Sequence, residues 1–313
     1  MYKTTMLKIY QQTVKDTINF KGVGLHTGKN STVTVMPAES DQGIVFKRVD
    51  LKKNNIIKAC YKNVSNAKLC TTLENDKGVK VSTVEHLLAA LYIAEIDNAT
   101  IEIDNVEVPI MDGSAKDFLT KLKHIGAKTL PKKKKYLRIV DKVEMFDGQR
   151  KISIEPGELS FEVNFQLDYK NKIIGNQKNT INFQTDNLQE VVDSRTFCLL
   201  EDVEKIKKNG LAKGGSLENA LVVNDKEVLN KDGLRNDKEF VNHKILDLAG
   251  DFFLSGFSVL GKVNCYQGGH ELSNLFLRKL LNSNSAFESL ELTEITISKE
   301  TNSYQPIKSA VNA

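Results

Sequence analysis

The stretch from Val84-Glu-His-Leu-Leu-Ala-Ala-Leu91 to Thr100-Ile-Glu-Ile-Asp-Asn-Val-Glu-Val108 decides the fold. In its first part, apolar residues recur at positions i, i+3, i+4 and i+7, which predicts an amphipathic helix. In its second part, apolar and polar residues alternate, as they also do upstream in Ser31-Thr-Val-Thr-Val-Met36, and this alternation predicts strands. Strands followed by helices, without strict alternation of the two, indicate an α+β fold.

The second half of the sequence shows the same order of elements. We expect strands over residues 136–143, 151–155 and 159–167 and helices over 188–192, 202–209 and 240–254, besides a helix over 115–124 in the first half. Between Cys198 and Asp225, a helix, glycine turns and an apolar strand indicate a βαβ insertion. The run Pro131-Lys-Lys-Lys-Lys135 has the composition of a solvated linker. The predicted domains are therefore residues 1–130 and 131–290, with the insertion at 198–225 and a tail at 291–313.

The composition limits the classes of function. The chain has 313 residues, of which 40% are hydrophobic and 27% charged, and this balance excludes an intrinsically disordered protein. The formal net charge of +4 is small for this length, so we expect no nucleic-acid partner. Residues 1–20 lack the apolar centre of a signal peptide, and the longest apolar run, residues 87–94, is far shorter than the ~18 residues of a membrane helix. We therefore expect a soluble, cytoplasmic protein.

Several common functional motifs are missing from the sequence. The four cysteines show no C-x-x-C spacing, which excludes a zinc ribbon and a thioredoxin motif and predicts reduced, mostly buried thiols. Residues 22–28, Gly-Val-Gly-Leu-His-Thr-Gly, fail the G-x-G-x-x-G pattern at its last position, so His26 belongs to no nucleotide-binding motif. The G-x-S-x-G segment of serine hydrolases is also absent.

The segment His243-Lys-Ile-Leu-Asp247 is the strongest local signal. On a helix, residues i and i+4 share a face, so His243 and Asp247 present an imidazole and a carboxylate side by side. Asp251 lies one turn further along the same face. Imidazole and carboxylate groups are ligands that a catalytic zinc ion prefers. The alternative is an ordinary ion pair or hydrogen bond on a solvated helix face.

Two further segments place histidines beside chemically useful neighbours. Ser82-Thr-Val-Glu-His86 fits a capping box, in which Glu85 only satisfies a helix N-terminus. It also fits a site in which one of Glu85 and His86 binds a metal and the other moves a proton. His270 follows two glycines, which would leave its ring exposed on a loop, either as a ligand-binding group or as a surface histidine without function.

Seven short segments, spread over nearly the whole chain, form an ordered set. They are Gly22-Val-Gly-Leu-His-Thr-Gly28, Ser82-Thr-Val-Glu-His-Leu87, Pro109-Ile-Met-Asp-Gly-Ser114, Asp193-Ser-Arg-Thr-Phe197, Gly214-Gly-Ser216, His243-Lys-x-x-Asp247 and Gly269-His270. In this order, from about Thr17 to Leu281, they resemble the zinc-dependent UDP-3-O-acyl-N-acetylglucosamine deacetylases of bacterial lipid A synthesis. The resemblance implies two similar domains, each with a sheet packed against helices, and an active site between them.

The resemblance also implies a metal site and a reaction. His86, His243 and Asp247 are the implied ligands of one zinc ion per chain, which Fe²⁺ could replace in the cell. The implied reaction is the committed step of lipid A synthesis, in which the N-acetyl group of UDP-3-O-acyl-N-acetylglucosamine is hydrolysed and acetate is released. Glu85 and His270 are implied as the acid–base pair, and the division of the two roles between them stays open.

Further roles follow from the same resemblance. Thr196 would donate a hydrogen bond to the oxyanion, and Asp251 would orient His270. Lys244 would meet the charged UDP-sugar, and Phe197 would pack on the sugar ring. Residues of the insertion would form a passage for the acyl chain, namely Leu199, Val203, Ala212, Ser216, Ala220 and Val222. We expect a monomer without stable membrane insertion, and the uridine contacts stay unassigned.

Two other functions fit the sequence. One is a zinc amidohydrolase that acts on another acylated amide, which a comparison of acylated and unacylated substrates would separate. The other is a non-catalytic protein that binds UDP-sugars or lipids, which elemental analysis of the pure protein would separate.

Overall fold

The computed structural model describes residues 7–293 and confirms the α+β class. Two larger mixed sheets and three small sheets hold the strands of these residues. The helices are α1 (Glu85–Ile93), α2 (Lys116–Ile125), α3 (Gln189–Asp193), α4 (Leu200–Lys208), α5 (Glu239–Phe253) and α6 (His270–Asn282). Each helix predicted over residues 115–124, 188–192, 202–209 and 240–254 is present, with ends that agree to within two residues.

The first larger sheet has five strands and packs against α2, which in turn contacts α1. In spatial order its strands are β2 (Ile18–Val23), β3 (Asn30–Met36), β9 (Ala99–Ile103), β4 (Ile44–Arg48) and β5 (Ile56–Lys58). Neighbouring strands are antiparallel except for β4 and β9, which are parallel. The alternation in β3 buries Val33 and Val35, and the ring of Phe20 packs against that of Phe118 in α2 at 4.9 Å. The apolar face of the sheet therefore forms one half of the core.

The second larger sheet has seven strands built around one long strand. Its strands are β12 (Val143–Asp147), β13 (Arg150–Glu155), β18 (Ser258–Tyr266), β11 (Lys135–Ile139), β19 (Phe287–Glu291), β14 (Phe161–Asp168) and β15 (Asn176–Asn182). The nine-residue β18 pairs with β11 near its start and then lies between β13 and β14. The strand predicted over residues 136–143 is interrupted after Ile139. Helix α5 packs on this sheet as well as on α1.

The basic run at residues 131–135 is solvated as expected at Pro131, Lys132, Lys133 and Lys135, but it is not a free linker. Strand β10 (Ala127–Lys133) pairs with β1 (Tyr10–Val14) and contains most of the run. Lys134 is 5% exposed, and its ammonium lies 2.8 Å from the Asp97 carboxylate. The composition of the run could not predict this ion pair, because Asp97 is distant from Lys134 in the sequence. The domain boundary at residue 130 remains a prediction.

The insertion has the βαβ order that the sequence predicts. Strand β16 (Phe197–Leu199) leads into α4, and β17 (Leu221–Val223) returns to pair with β16 in parallel. The remaining small sheet is antiparallel and consists of β6 (Val64–Asn66), β7 (Thr72–Glu74) and β8 (Lys80–Val81).

A close contact between α1 and α5 positions the site. Gly250 of α5 faces the backbone carbonyl of Glu85 in α1, and a Cβ atom at this glycine would clash with that carbonyl. A glycine inside a helix costs about 1 kcal/mol relative to alanine, so the close approach of the two backbones explains its presence. The chemically useful residues of both helices are thereby brought together.

Three further expectations concern exposure and the chain end. Within residues 7–293, no helix is both long and apolar enough to cross a bilayer. All four cysteines are free, but Cys265 alone is fully buried, so the thiols are more exposed than expected. Leu292 is fully buried beside the last strand, whereas residues 294–313 of the predicted tail lie outside the described part of the chain.

Candidate active site

Three side chains that the sequence singles out as metal ligands meet between α1 and α5. His86 lies in the first turn of α1, and His243 and Asp247 lie one turn apart on α5. One nitrogen or oxygen atom from each side chain lies within 4.8 Å of the other two. All three side chains are buried. The i, i+4 spacing on α5 therefore gives the shared face that the sequence predicts.

Neighbouring groups orient two of these side chains. The His243 Nδ1–H donates to the carbonyl oxygen of Ser194 at 3.1 Å, so Nε2 is the atom that faces Asp247. The Lys244 ammonium donates to Asp247 Oδ2 at 3.0 Å. Such contacts behind a metal site fix the tautomer of a histidine and the direction of a carboxylate.

The cluster fits a divalent metal ion. Asp247 Oδ1 is buried and has no hydrogen-bond partner within residues 7–293. It lies 3.5 Å from His86 Nε2 and 3.4 Å from His243 Nε2, which is longer than a good N–H···O hydrogen bond. A buried oxygen without a donor is costly, and a cation shared by the three side chains would remove that cost. Three protein ligands are typical of catalytic metal sites, since a structural site has four.

A second group of side chains lies beside this cluster. The His270 Nδ1–H donates to Asp251 Oδ2 at 2.9 Å, and the Thr71 hydroxyl donates to Asp251 Oδ1 at 2.7 Å. The Thr71 N–H donates to Glu85 Oε2 at 3.0 Å. Glu85 Oε1 and His270 Nε2 are 3.8 Å apart. Because the other oxygen of Glu85 and the other nitrogen of His270 already form hydrogen bonds, Oε1 and Nε2 are the atoms that can act on a bound molecule.

The two groups hold their histidines in opposite states. Burial lowers the pKa of His243 to about 3 against the opposing effect of Asp247, so this imidazole is neutral, as a metal ligand must be. Burial also opposes a charge on His270, but the carboxylates of Asp251, Asp247 and Glu85 outweigh it and raise the pKa to about 10. His270 is therefore a cation at neutral pH.

The carboxyl groups are also perturbed. Burial raises the pKa of Glu85 above its ordinary value, toward the range that suits a general base at neutral pH. Burial favours the neutral form of Asp247 too, but the positive charges of Lys244 and His270 hold its pKa well below the usual range. Asp247 is therefore the ionised carboxylate of the pair.

Two expectations about this site are wrong. Among the described residues, no side chain caps α1, and the Ser82 hydroxyl donates to the carbonyl oxygen of Val106, so the capping box of Ser82 and Glu85 does not form. His270 does not lie on an exposed loop, because it begins α6 and is 8% exposed. Glu85 and His270 instead form hydrogen bonds with Thr71 and Asp251, which are distant from them in the sequence.

A cavity of about 350 Å³ opens onto both groups of side chains. Thr196, Phe197 and Lys244 line this cavity, as expected from the sequence. The Lys244 ammonium lies 5.4 Å from the centre of the Phe197 ring, within the range of a cation–π interaction. The ring of Phe240 packs edge-on against Phe197 at 5.0 Å and holds it in place. The cavity thus combines a fixed cation and an aromatic surface with the metal-type cluster.

The insertion forms one wall of this cavity. Of the six residues expected to line an acyl passage, Leu199 lines the wall, whereas five do not, namely Val203, Ala212, Ser216, Ala220 and Val222. Cys198, Asp202 and Ile206 line it instead. Asp202 and Ile206 are four residues apart on α4 and therefore share one face of that helix.

Sequence reasoning missed several residues of the cavity, which come from distant parts of the chain. They are Leu25, His26, Lys68, Leu69, Arg150 and Tyr169. His26 is 9% exposed, and neither of its ring nitrogens has a hydrogen-bond partner among the residues that the structure describes. Burial lowers its pKa, so the ring is neutral. A histidine within a glycine-rich turn was the signal that could have found it.

Comparison with known proteins decides the family. Residues 11–282 match the model of the family described as LpxC: UDP-3-O-acyl N-acetylglycosamine deacetylase. The chain belongs to this family. Three relatives, each named UDP-3-O-acyl-N-acetylglucosamine deacetylase, agree with this assignment along most of the chain. The relative from Shewanella violacea is 40% identical over 283 residues, which are 90% of this chain and 92% of the relative.

The other two relatives are as similar. The relative from Syntrophotalea carbinolica is 41% identical over 287 residues, 91% of this chain and 92% of its own length. The relative from Geotalea uraniireducens is 40% identical over 285 residues, with the same two shares. The resemblance seen in the seven short segments is thereby confirmed. Members of the UDP-3-O-acyl N-acetylglycosamine deacetylase family are metalloenzymes that hydrolyse an amide, which agrees with a cluster of three ligands beside a carboxylate and a histidine.

Proposed function

We propose that this chain hydrolyses the acetamide of UDP-3-O-acyl-N-acetylglucosamine and thereby serves lipid A synthesis. In this reaction the oxygen of water bonds to the acetyl carbon, the C–N bond breaks, and a proton passes to the leaving nitrogen, which gives acetate and a free amine. The observation that carries the proposal is the pairing of a three-ligand cluster with Glu85 and His270 in one cavity of a family member.

Zinc is the metal that we infer for this cluster. His86, His243 and Asp247 would hold it through two imidazole nitrogens and one carboxylate oxygen, a donor set typical of catalytic zinc. Bound there, zinc would polarise the amide carbonyl and lower the pKa of water. The same donors accept Fe²⁺, so elemental analysis of protein purified from its native cells tests which metal is used there.

Glu85 and His270 are suited to opposite halves of the proton transfer. Glu85 Oε1 lies 3.8 Å from His270 Nε2, beyond hydrogen-bond distance, and the raised pKa of Glu85 suits a base that takes a proton from the attacking water. His270 is charged at neutral pH and can stabilise the developing oxyanion or give its Nε2 proton to the leaving amine. We therefore assign Glu85 as the base and His270 as the acid.

Two other residues support this chemistry. Thr196 lines the same cavity, and its hydroxyl would donate a hydrogen bond to the oxyanion. Asp251 holds the His270 ring through its 2.9 Å contact with Nδ1, which points Nε2 at the cavity. Asp251 is therefore a positioning residue.

The cavity wall supports recognition of a charged, acylated sugar. Lys244 offers a positive charge for the diphosphate, and Phe197 offers an apolar face for the sugar ring. Leu199 and Ile206 give the insertion an apolar surface along the cavity, which suits an acyl chain. A bound acyl chain would extend beyond the cavity, and we propose that it then runs along the other five residues of the insertion.

We further propose that the protein acts as a cytoplasmic monomer without a nucleic-acid partner or a membrane-inserted segment. The support is that one chain supplies every residue of the site and that the net charge is only +4. Sedimentation of the purified protein at micromolar concentration tests the oligomeric state.

Acetate release from acylated UDP-N-acetylglucosamine, measured with and without a chelator, tests the proposed activity. We expect release that a chelator abolishes and that added zinc restores, with a preference for one acyl-chain length. Equal activity on the unacylated sugar would instead favour an amidohydrolase with another substrate. Absence of bound metal, even after zinc addition, would favour a binding protein.

A further inference from the structure

Glu107 is a buried carboxylate that belongs to neither group of active-site residues. It is 1% exposed and follows strand β9. Its Oε1 accepts hydrogen bonds from the His26 N–H at 2.8 Å and from the Thr83 hydroxyl at 2.9 Å, and its Oε2 accepts one from the Thr27 N–H at 2.7 Å. One carboxylate therefore joins two backbone segments that are far apart in the sequence.

The first segment is the turn of residues 24–28, called here the His26 turn. The Gly28 N–H donates to the Gly24 carbonyl at 3.0 Å and closes the turn. Gly24 packs directly on the Glu107 carboxylate, and a Cβ atom at Gly24 would clash with it. The glycine and the carboxylate fit each other, so the shape of the turn depends on Glu107.

The His26 turn connects the cavity to the insertion. Leu25 and His26 line the cavity, and the two His26 ring nitrogens have no partner within the described chain. The carbonyl oxygens of these two residues accept hydrogen bonds from the N–H groups of Gly214 at 3.0 Å and Lys213 at 3.2 Å. A shift of the turn would therefore move both the imidazole and the insertion.

The second segment leads into the helix that carries Glu85 and His86. Thr83 has a φ of +56°, a left-handed conformation that a β-branched residue rarely adopts. Its hydroxyl is tied to Glu107, and Thr83 lies only two residues before Glu85. The same carboxylate therefore holds both the entry to α1 and the His26 turn, two segments that line the cavity.

We propose that Glu107 is a positioning residue that fixes the His26 turn, so that the His26 imidazole presents its two unpartnered nitrogens to the bound substrate. A neutral imidazole offers one donor and one acceptor in diverging directions, which match two different hydroxyl groups of a sugar. The proposal rests on the proposed function, because the acylated UDP-sugar is the ligand that it assigns to the cavity.

A double-mutant cycle of Glu107→Gln and His26→Ala tests this proposal. The amide introduced by Glu107→Gln keeps one acceptor oxygen but turns an NH₂ group toward N–H donors, so the His26 turn loses its anchor. For Glu107→Gln we expect the KM for the acylated UDP-sugar to rise about tenfold, with kcat changed less than about threefold and the zinc content unchanged.

In a protein that already carries His26→Ala, adding Glu107→Gln should alter KM less than about twofold. Glu102→Gln on β9, a glutamate paired with Lys47, is the matched control and should leave KM and kcat unchanged.

A purely structural role would give the opposite pattern. Equal effects of Glu107→Gln in both backgrounds, or an unchanged KM, would overturn the proposal. Amide hydrogen exchange of the zinc-loaded protein gives a readout without turnover, and faster exchange at residues 24–28 is expected. If Glu107→Gln does not fold, Glu107→Asp replaces it, since the shorter carboxylate cannot reach both segments. If the wild type releases no acetate, the proposed function fails, and the cycle is then measured on the Kd of the acylated UDP-sugar by calorimetry.

Discussion

His243 and His270 are both buried, with 1% and 8% of their surfaces exposed, yet they sit in opposite electrostatic surroundings. Around His243, Asp247 is shared with Lys244 and His86, and burial keeps the imidazole neutral. Around His270, three carboxylates outweigh burial and hold the imidazole as a cation. The difference teaches that the number of carboxylates near each imidazole, not the burial of the imidazole, divides this site into a metal half and a proton half.

Asp247→Asn should have the largest effect, because Asp247 contacts both halves. The amide removes the only negative charge among the three expected ligands, so we expect the metal to be lost and acetate release to fall by about 10³-fold or more. Elemental analysis and the acetate assay measure both outcomes. Asp237→Asn, at an exposed aspartate, is the control and should behave as the wild type. Full metal content together with normal activity in Asp247→Asn would contradict the division into two halves.

His270→Gln should affect the proton half of the site without affecting the metal half. The glutamine cannot carry the charge or the proton of the imidazolium, so acetate release should fall by about 10²- to 10³-fold, while the metal content stays at that of the wild type. The exposed His124 offers the control His124→Gln, for which we expect no change. Loss of metal in His270→Gln would place His270 in the metal half and break the comparison.

Asp251→Asn should have a smaller effect on rate and a visible effect on pH dependence. Removal of a positioning carboxylate is expected to lower activity by about 10- to 100-fold. With the pKa of His270 at about 10, its active cationic form persists at neutral pH and is lost as the pH rises through about 10. Without Asp251 the pKa falls, so the alkaline loss of activity should move to lower pH. A rate profile with an unchanged alkaline limb would exclude Asp251 as the source of the charge on His270.

The helices and the ligand pair on α5 could be predicted from the sequence because their signals are local. The spacing of apolar residues gives α5, and the i, i+4 spacing then places His243 and Asp247 on one face. The role of Glu85 could not be settled in this way. Its segment has the signature of a capping box, and only the contact with Thr71, fourteen residues away, shows that the carboxylate is used elsewhere.

Expectations failed where a tertiary partner overrides composition. Lys134 lies in a run of lysines that looks solvated, but Asp97 supplies a buried partner. His26 lies in a turn that fits no motif, and only the fold shows it in the cavity wall with Glu107 behind it. The insertion shows a third limit. Its βαβ order follows from its pattern, but which side chains of α4 face the cavity depends on how the helix is rotated, and the sequence alone does not give that rotation.

The most direct test of the account is the metal content and acetate release of Glu85→Gln, measured on one preparation. The glutamine keeps the shape of the side chain but cannot accept a proton, so the account predicts one zinc ion per chain and acetate release reduced by about 10³-fold. Glu288→Gln, at an exposed glutamate, is the matched control and should match the wild type in both measurements. Normal acetate release from zinc-loaded Glu85→Gln would contradict the division of the site into a metal half and a proton half.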